Sequence, residues 1–384
     1  MAISIPFAVD TGIQGLPDTE RRVLLELILH GGQSRVRIAE RLGLSRTSLT
    51  RVTRQLLDAG FVIEGEMQLS GTRGRPAEAL YLRQDAARFA GVKLTADQLY
   101  LVVTDLSATI VAETAVALPS RKVEDVVALI AHEIARLEDQ LGALTGVGIA
   151  AAGDVRSADR GPILQHSNFL GWDEVPLARL VADASGIPAT LVNDVHALTG
   201  AQHWFGGEER HRSLVVYGVG AGIGCGVVIA EELHLGAHGR AGRIGHSRIG
   251  GRGRRCENGH RDCIHSFVTM PAIEQGAGVE AGEYALALDR ARGGEAVALG
   301  AFESAARALG AAVADAVNAY DPDMVAIMGE GVDMLDLAPE QFRTGLAEFL
   351  EQGDAGSILI DRPPFHFDLY ARGAAVAVMR ELLA

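Results

Sequence analysis

The chain reads as an α/β protein in which a winged helix-turn-helix head precedes a larger α/β body of two halves. Three observations predict this. The first eighty residues carry three short helical periods, a glycine between the second and third, and two strand patterns after them. From Ala90 onward strand patterns alternate with helical ones, and a second strand-rich stretch begins near Ser213. Positive charge is concentrated in the head of an otherwise acidic chain.

Asp18 or Thr19 is placed to cap a first helix, whose apolar positions Val23, Leu24, Leu27 and Ile28 follow the 3.6-residue period until Gly31-Gly32 ends it. Ser34 caps a shorter second helix with Ile38, Ala39 and Leu42 on its inner face. Gly43 supplies the tight turn that lets a third helix cross the second steeply. Ser45 caps this third helix, and Gly60 closes it. Its inward stripe of Leu49, Val52, Leu56 and Leu57 leaves Arg46, Thr47, Ser48, Thr50, Arg51 and Arg54 on or near the outward side. Phe61-Val62-Ile63 and Leu80-Tyr81-Leu82 predict two wing strands, and the loop Gly71-Thr72-Arg73-Gly74-Arg75-Pro76 lies between them.

That outward face suits duplex DNA. An arginine early in a helix reads guanine bidentately, Ser and Thr bond phosphates or base edges, and the helix N-terminus attracts phosphate. The two wing arginines are placed to enter a minor groove. Ser45, Arg46, Thr47, Ser48, Thr50, Arg51, Arg54, Arg73 and Arg75 are the candidate DNA-binding residues, with double-stranded operator DNA as the expected partner. The plainer reading is a three-helix cap whose arginines are merely solvated.

Composition sets the frame. A chain of 384 residues suits two or three compact units of ~100–200 residues. With 48% hydrophobic and 22% charged residues it matches a soluble globular protein rather than a disordered or fibrous one. No run approaches the ~18 apolar residues of a membrane span. The stretch Ile3–Val9 lacks a basic leader, so no secretory signal is expected and the cytoplasm is the expected location. Cys225, Cys256 and Cys263 cannot all pair, and a reducing compartment keeps them as thiols. The net charge of −14 argues against coating nucleic acid along the whole length. Between Gln33 and Leu56, however, Arg35, Arg37, Arg41, Arg46, Arg51 and Arg54 face a single acid, Glu40.

In the body, Gly91–Leu94, Leu99–Leu106 and Ile110–Ala115 predict a three-strand meander, followed by a helix over Val123–Leu141 and a buried strand Val147–Ala150. Ser213–Tyr217 and Gly226–Ala230 flank the glycine-rich Gly218–Gly224, an alanine-rich helix spans Ala296–Tyr320, and Met324–Met328 is a strand. Two such halves predict a bilobed fold with a cleft for a ligand.

The segment Ala241-Gly242-Arg243-Ile244-Gly245-His246, followed by Cys256-Glu257-Asn258-Gly259-His260-Arg261-Asp262-Cys263-Ile264-His265, resembles the ExGH and CxCGxxGCxE signature of the ROK family (repressors, open reading frames and kinases). Asn193-Asp194 resembles the family's sugar-binding Asn and catalytic Asp, Asn168-Phe169-Leu170-Gly171-Trp172 its second sugar-contacting loop, and Gly74-Arg75-Pro76-Ala77 the wing end of its repressor branch, which includes N-acetylglucosamine and xylose repressors. The resemblance spans roughly residues 19 to 384. It implies an actin-like bilobed ROK domain over 88–384 behind a winged helix-turn-helix over 18–84, and a homodimer or higher oligomer.

Family kinases place DxGGT at the first hairpin, where the acid helps hold the metal-bound nucleotide. Here Lys93-Leu94-Thr95-Ala96-Asp97 stands there, so no phosphoryl transfer and no ATP are expected; the surviving loop at Gly218–Gly226 is a weak signal on its own. Arg243 and His265 replace two glutamates that accept bonds from sugar hydroxyls in relatives, a reversal that suits a carboxylate or phosphate on the effector. Alternatively the pocket has drifted and Arg243 pairs with an acid such as Asp194. Asn168, Asn193, Asp194, Arg243, His246 and His265 are the candidate effector residues. The family's zinc site uses the His of ExGH and three Cys; Asn258 stands for the middle one, leaving His246, Cys256 and Cys263, with His260 as a substitute fourth ligand. The alternative is two reduced cysteines in a loop held by packing.

These features predict a transcriptional repressor of carbohydrate-related genes that binds operator DNA and a small carbohydrate-type effector, without a membrane. The rivals are a sugar kinase with an accessory DNA-binding head and a ligand-independent co-regulator.

Overall fold

A computed structural model describes residues 12–67, 77–207, 210–251, 253–351 and 353–383. The wing loop with Arg73 and Arg75, and most of the Gly74–Ala77 motif, lie outside the described residues. The chain forms two compact units, residues 1–197 with 370–384, and residues 198–369.

The head holds α1 (Asp18–His30), β1 (Gln33–Ser34), α2 (Arg35–Leu42), α3 (Arg46–Asp58), β2 (Val62–Met67) and β3 (Ala77–Leu82). Pro17, rather than Asp18 or Thr19, takes the cap position of α1, without a side-chain bond, and Asp18 begins the helix, where its charge favours the N-terminal dipole. Ser34 and Ser45 cap α2 and α3, accepting from the N–H of Arg37 and Ser48. Gly43 ends α2 in the left-handed region at φ 66°, which a β-carbon disfavours. Val23, Leu24, Leu27, Ile38, Leu49, Val52 and Leu56 form the buried centre of the head, while Leu57 is only half-buried. The wing has a third strand absent from the sequence reading, because β1 pairs with β3 to give the order β1-β3-β2.

The rest of the first unit begins with the meander β4 (Phe89–Leu94), β5 (Gln98–Thr104) and β6 (Ile110–Ala117), then α4 (Val123–Leu141) and β7 (Gly146–Ala151). A small antiparallel sheet follows, built from β8 (Asp154–Arg156), β9 (Ile163–Ser167) and β10 (Trp172–Val175). Next come α5 (Leu177–Ser185), β11 (Ala189–Asn193) and α6 (Asp194–Phe205), whose residues from Leu198 onward belong to the second unit. The main sheet runs β11-β7-β4-β5-β6, with β7 parallel to both β11 and β4. Val126, Ile130, Ile134 and Leu137 of α4 share one face by their spacing and join the buried cluster of this sheet.

The second unit carries β12 (Leu214–Val219), β13 (Ile223–Ile229) and β14 (Glu232–Leu233), then α7 (His265–Val268), α8 (Met270–Ala277), α9 (Tyr284–Arg292) and α10 (Ala296–Tyr320). After these come β15 (Met324–Met328), α11 (Met334–Leu337), α12 (Pro339–Phe349) and β16 (Ile360–Asp361). Its sheet order is β14-β13-β12-β15-β16. Among the described residues α10 is the one helix long and apolar enough to cross a bilayer, which the sequence reading did not flag. Its apolar residues, among them Phe302, Leu309 and Val313, are core residues of this unit.

The final helix, α13 (Asp368–Leu383), completes the first unit. It lies so close to the main sheet that a β-carbon on Gly91 or Gly148 would stand 1.8 or 1.7 Å from the carbonyl oxygen of Ala371 or Ala374. Glycine is required there by space.

Candidate functional site

On α3 the side chains of Arg46, Thr47, Thr50, Arg51 and Arg54 are exposed, Ser48 is half-buried, and Ser45 holds the helix start. Ser45 Oγ accepts the Ser48 N–H at 3.1 Å and donates to Ser48 Oγ at 2.9 Å. Thr50 donates its hydroxyl to the Arg46 carbonyl at 2.8 Å. Arg51 reaches Gln55 Oε1 at 3.2 Å and lies 3.9 Å from a carboxylate oxygen of Glu20, a buried acid on α1. Among the described residues Arg46 and Arg54 have no ion-pair partner.

The basic patch is smaller than the sequence count implies. Arg35 bonds Glu64 and lies 3.5 Å from Glu78, tying α2 to both wing strands. Arg41 pairs with Glu26 at 2.8 Å and contacts His30 Nε2 at 2.6 Å. These two arginines brace the head, so of the six counted between Gln33 and Leu56, Arg37 and the three on α3 are left facing outward.

In the first unit the candidate ligand residues are engaged internally. Asn193 donates to the Gly153 carbonyl at 3.0 Å and accepts the N–H of Val195 and His196, so it starts α6. Asp194 accepts from the Val195 N–H through Oδ1, and its Oδ2 pairs with Lys93 Nζ at 2.7 Å. Lys93 also lies over the Tyr370 ring, 4.7 Å from its centre. Lys93 is therefore the counter-ion of Asp194. Asn168 bonds His166 Nε2 through Oδ1 at 2.7 Å, and His166 Nδ1 meets Asp173 at 2.5 Å. The Asp173 bond, then the Asn168 bond, raise the His166 pKa above its ordinary 6.5.

In the second unit His265 is half-buried and pairs through Nδ1 with Glu257 at 3.2 Å, while Arg243 is exposed. Glu257 was missed in the sequence, yet it brings a carboxylate next to the position where the family motif carries one. The glycine loop between β12 and β13 is a tight connection closed by Gly220 N–H to the Gly222 carbonyl at 2.9 Å. A β-carbon on Gly220 would lie 2.1 Å from a carboxylate oxygen of Glu330, so an acid abuts this loop.

The thiol and imidazole residues cluster. His246 Nδ1 lies 3.7 Å from Cys256 Sγ and 3.8 Å from Cys263 Sγ, and Cys256 Sγ lies 3.6 Å from His260 Nδ1. Tetrahedral zinc with N and S ligands separates them by about 3.6 Å, so the donor set fits that ion. Cys225 is buried in β13, and burial pushes its thiol up to about 12.

An exposed arginine-bearing helix in a winged head, ahead of a body built on two mixed sheets, has the architecture of a DNA-binding regulator. The ROK family pattern matches residues 89–380, and a winged helix-turn-helix DNA-binding pattern matches residues 16–63. The chain belongs to the ROK family. It is 27% identical over 319 residues to the DNA-binding transcriptional dual regulator NagC of Escherichia coli strain K12, covering 78% of this chain and 77% of that one. Among solved structures it resembles a ROK family transcriptional regulator, a homolog of the E. coli MLC protein, with TM-score 0.80, 23% identity and 97% of each chain covered. A ROK hexokinase from Thermus thermophilus matches with TM-score 0.64 and 25% identity, over 77% of this chain and 99% of that one. The regulator is thus matched over nearly the whole chain, the kinase over about three quarters of it.

Proposed function

We propose that this chain is a DNA-binding transcriptional repressor of carbohydrate-related genes whose operator affinity responds to a sugar-derived effector. The observation that carries the reading is the outward face of α3, where Arg46, Thr47, Arg51 and Arg54 project from a capped helix start ahead of a ROK body. The head over 18–84 grips DNA through these residues, with Arg73 and Arg75 assigned to the minor groove. A homodimer sets two such helices about one DNA turn, ~34 Å, apart or a multiple of it. Its place of work is the cytoplasm.

In the ROK domain over 88–384 the residues assigned to the effector are Asn168, Asn193 and Asp194 in the first unit and Arg243 and His265 in the second, His246 being kept for the metal. Arg243 favours an anionic group on that effector, whereas the Glu257–His265 pair favours hydroxyls, so a sugar acid or sugar phosphate suits both. One feature speaks against phosphoryl transfer: Asp194 is bonded to Lys93 and not poised as a base. Zinc held by His246, Cys256 and Cys263 would brace the segment between them, as structural zinc does.

The test is binding of the purified chain to DNA fragments from upstream of its own gene and the neighbouring genes, followed by fluorescence anisotropy. Nanomolar binding to one fragment, weakening steeply with salt, is expected, because phosphate neutralisation releases counterions. Failure to bind any fragment, together with ATP consumption in the presence of a sugar, would sink the reading.

A further inference from the structure

Resting on the zinc reading above, the geometry points to a two-thiol, two-imidazole metal set in this chain, made of His246, Cys256, His260 and Cys263, with Asn258 outside it as the positioning partner of His246. The family signature puts a third thiol at 258. In this chain the backbone turns that loss into a different set.

Residues 255–261 fold back on themselves. Arg255 and Arg261 form an antiparallel bridge, the Cys256 N–H donates to the His260 carbonyl at 3.0 Å, and the Gly259 N–H donates to the Cys256 carbonyl at 2.9 Å. That turn brings side chains four residues apart to one point. His260 Nδ1 consequently stands 3.6 Å from Cys256 Sγ, and the His246 and His260 rings lie side by side with centres 4.4 Å apart. Three of the four N···S separations in this set, 3.6, 3.7 and 3.8 Å, match the ~3.6 Å edge of a tetrahedral N/S zinc site; the donor atoms of His246, Cys256 and His260 lie within 4.8 Å of one another, and Cys263 joins them through His246.

Asn258 takes the other side of His246. Its amide lies 3.1 Å from His246 Nε2, the nitrogen opposite the one that faces the two sulfurs. A metal-bound imidazole donates its remaining N–H to an outer partner that fixes the ring, and either end of a planar amide fits this position. The residue that replaces the thiol therefore aims a ligand and does not serve as one. Two thiolates balance the charge of a divalent ion, whereas three would leave the site negative.

The experiment uses the full chain, with metal measured by mass spectrometry, chelator competition and exchange to cobalt and cadmium. One zinc per chain is expected, with cobalt charge-transfer intensity of two thiolates and a cadmium resonance in the mixed sulfur and nitrogen range. His260→Ala should lose zinc to chelator at least tenfold more readily, and Asn258→Ala should keep one zinc but bind it about 10–100-fold more weakly. The double variant His260→Ala with Asn258→Cys should regain retention and show three thiolates, which separates ligand loss from misfolding. Zinc held by His260→Ala as tightly as by the parent, or a three-thiolate spectrum in the parent, would overturn the ligand set. A parent chain that takes up no zinc at all removes the zinc reading with it, and DNA binding by that same chain leaves the repressor reading standing.

Discussion

Lys93 Nζ lies 2.7 Å from Asp194 Oδ2, with the lysine side chain 5% and the aspartate 16% exposed. The two residues are 101 positions apart, and each would be costly to bury alone. Removing one partner of a buried pair costs more than removing both, because the survivor keeps an uncompensated charge. Lys93→Met should therefore destabilise the chain by about 3 kcal/mol, and adding Asp194→Asn should recover most of that loss. Urea unfolding of the two single variants and the double variant checks this. Additive losses would show that the pair is not coupled.

Arg46 and Arg51 should separate DNA contact from head stability. Arg46 is exposed without an ion-pair partner among the described residues, so Arg46→Ala should weaken operator binding about tenfold or more and leave the melting temperature unchanged. Arg51→Ala should weaken binding too, with a stability loss below about 1 kcal/mol, because its pairing with Glu20 is long and its own side chain mostly solvated. Gel shifts and thermal melts on both variants decide the matter.

His166 should titrate above the ordinary histidine range. Its raised pKa comes first from the Asp173 bond, so the charged ring is favoured in the folded chain. The sign follows: the contribution is complete below pH 6.5 and disappears as pH rises through the folded midpoint. Histidine resonances followed by NMR should show this midpoint fall in Asp173→Asn. A midpoint that does not move would remove Asp173 as the cause of the raised His166 pKa.

Cys225 should be inert to iodoacetamide at neutral pH in the folded chain. Its thiol is buried and its pKa is pushed up to about 12, so hardly any thiolate exists to react. Mass mapping of labelled peptides should find Cys225 modified only after denaturation; rapid labelling of the native chain would contradict its burial.

Much of the architecture was legible. The helices Val123–Leu141 and Ala296–Tyr320 and the strand Met324–Met328 match their expected bounds, because their apolar periods are long or dense enough to stand out. Short strands such as Gln33–Ser34 and Ile360–Asp361 were invisible, since two residues carry no period and owe their geometry to a partner. The same division holds at the sites. Ser45 was readable as a cap because its bond spans three residues. The pairing of Lys93 with Asp194, and of Arg35 and Arg41 with distant glutamates, depends on folding and leaves no local trace.

The tight seat of α13 on Gly91 and Gly148 has a consequence for how this polypeptide is made. The strands bearing those glycines end 274 and 217 residues before the helix that seals them begins. During that interval the face of the main sheet that α13 covers has only α6, through Ala197, against it, while the strands and helices of the small head upstream have already been made. A nascent chain can thus fold its head long before its body closes, and that face of the sheet is the surface on which a chaperone would find its hold.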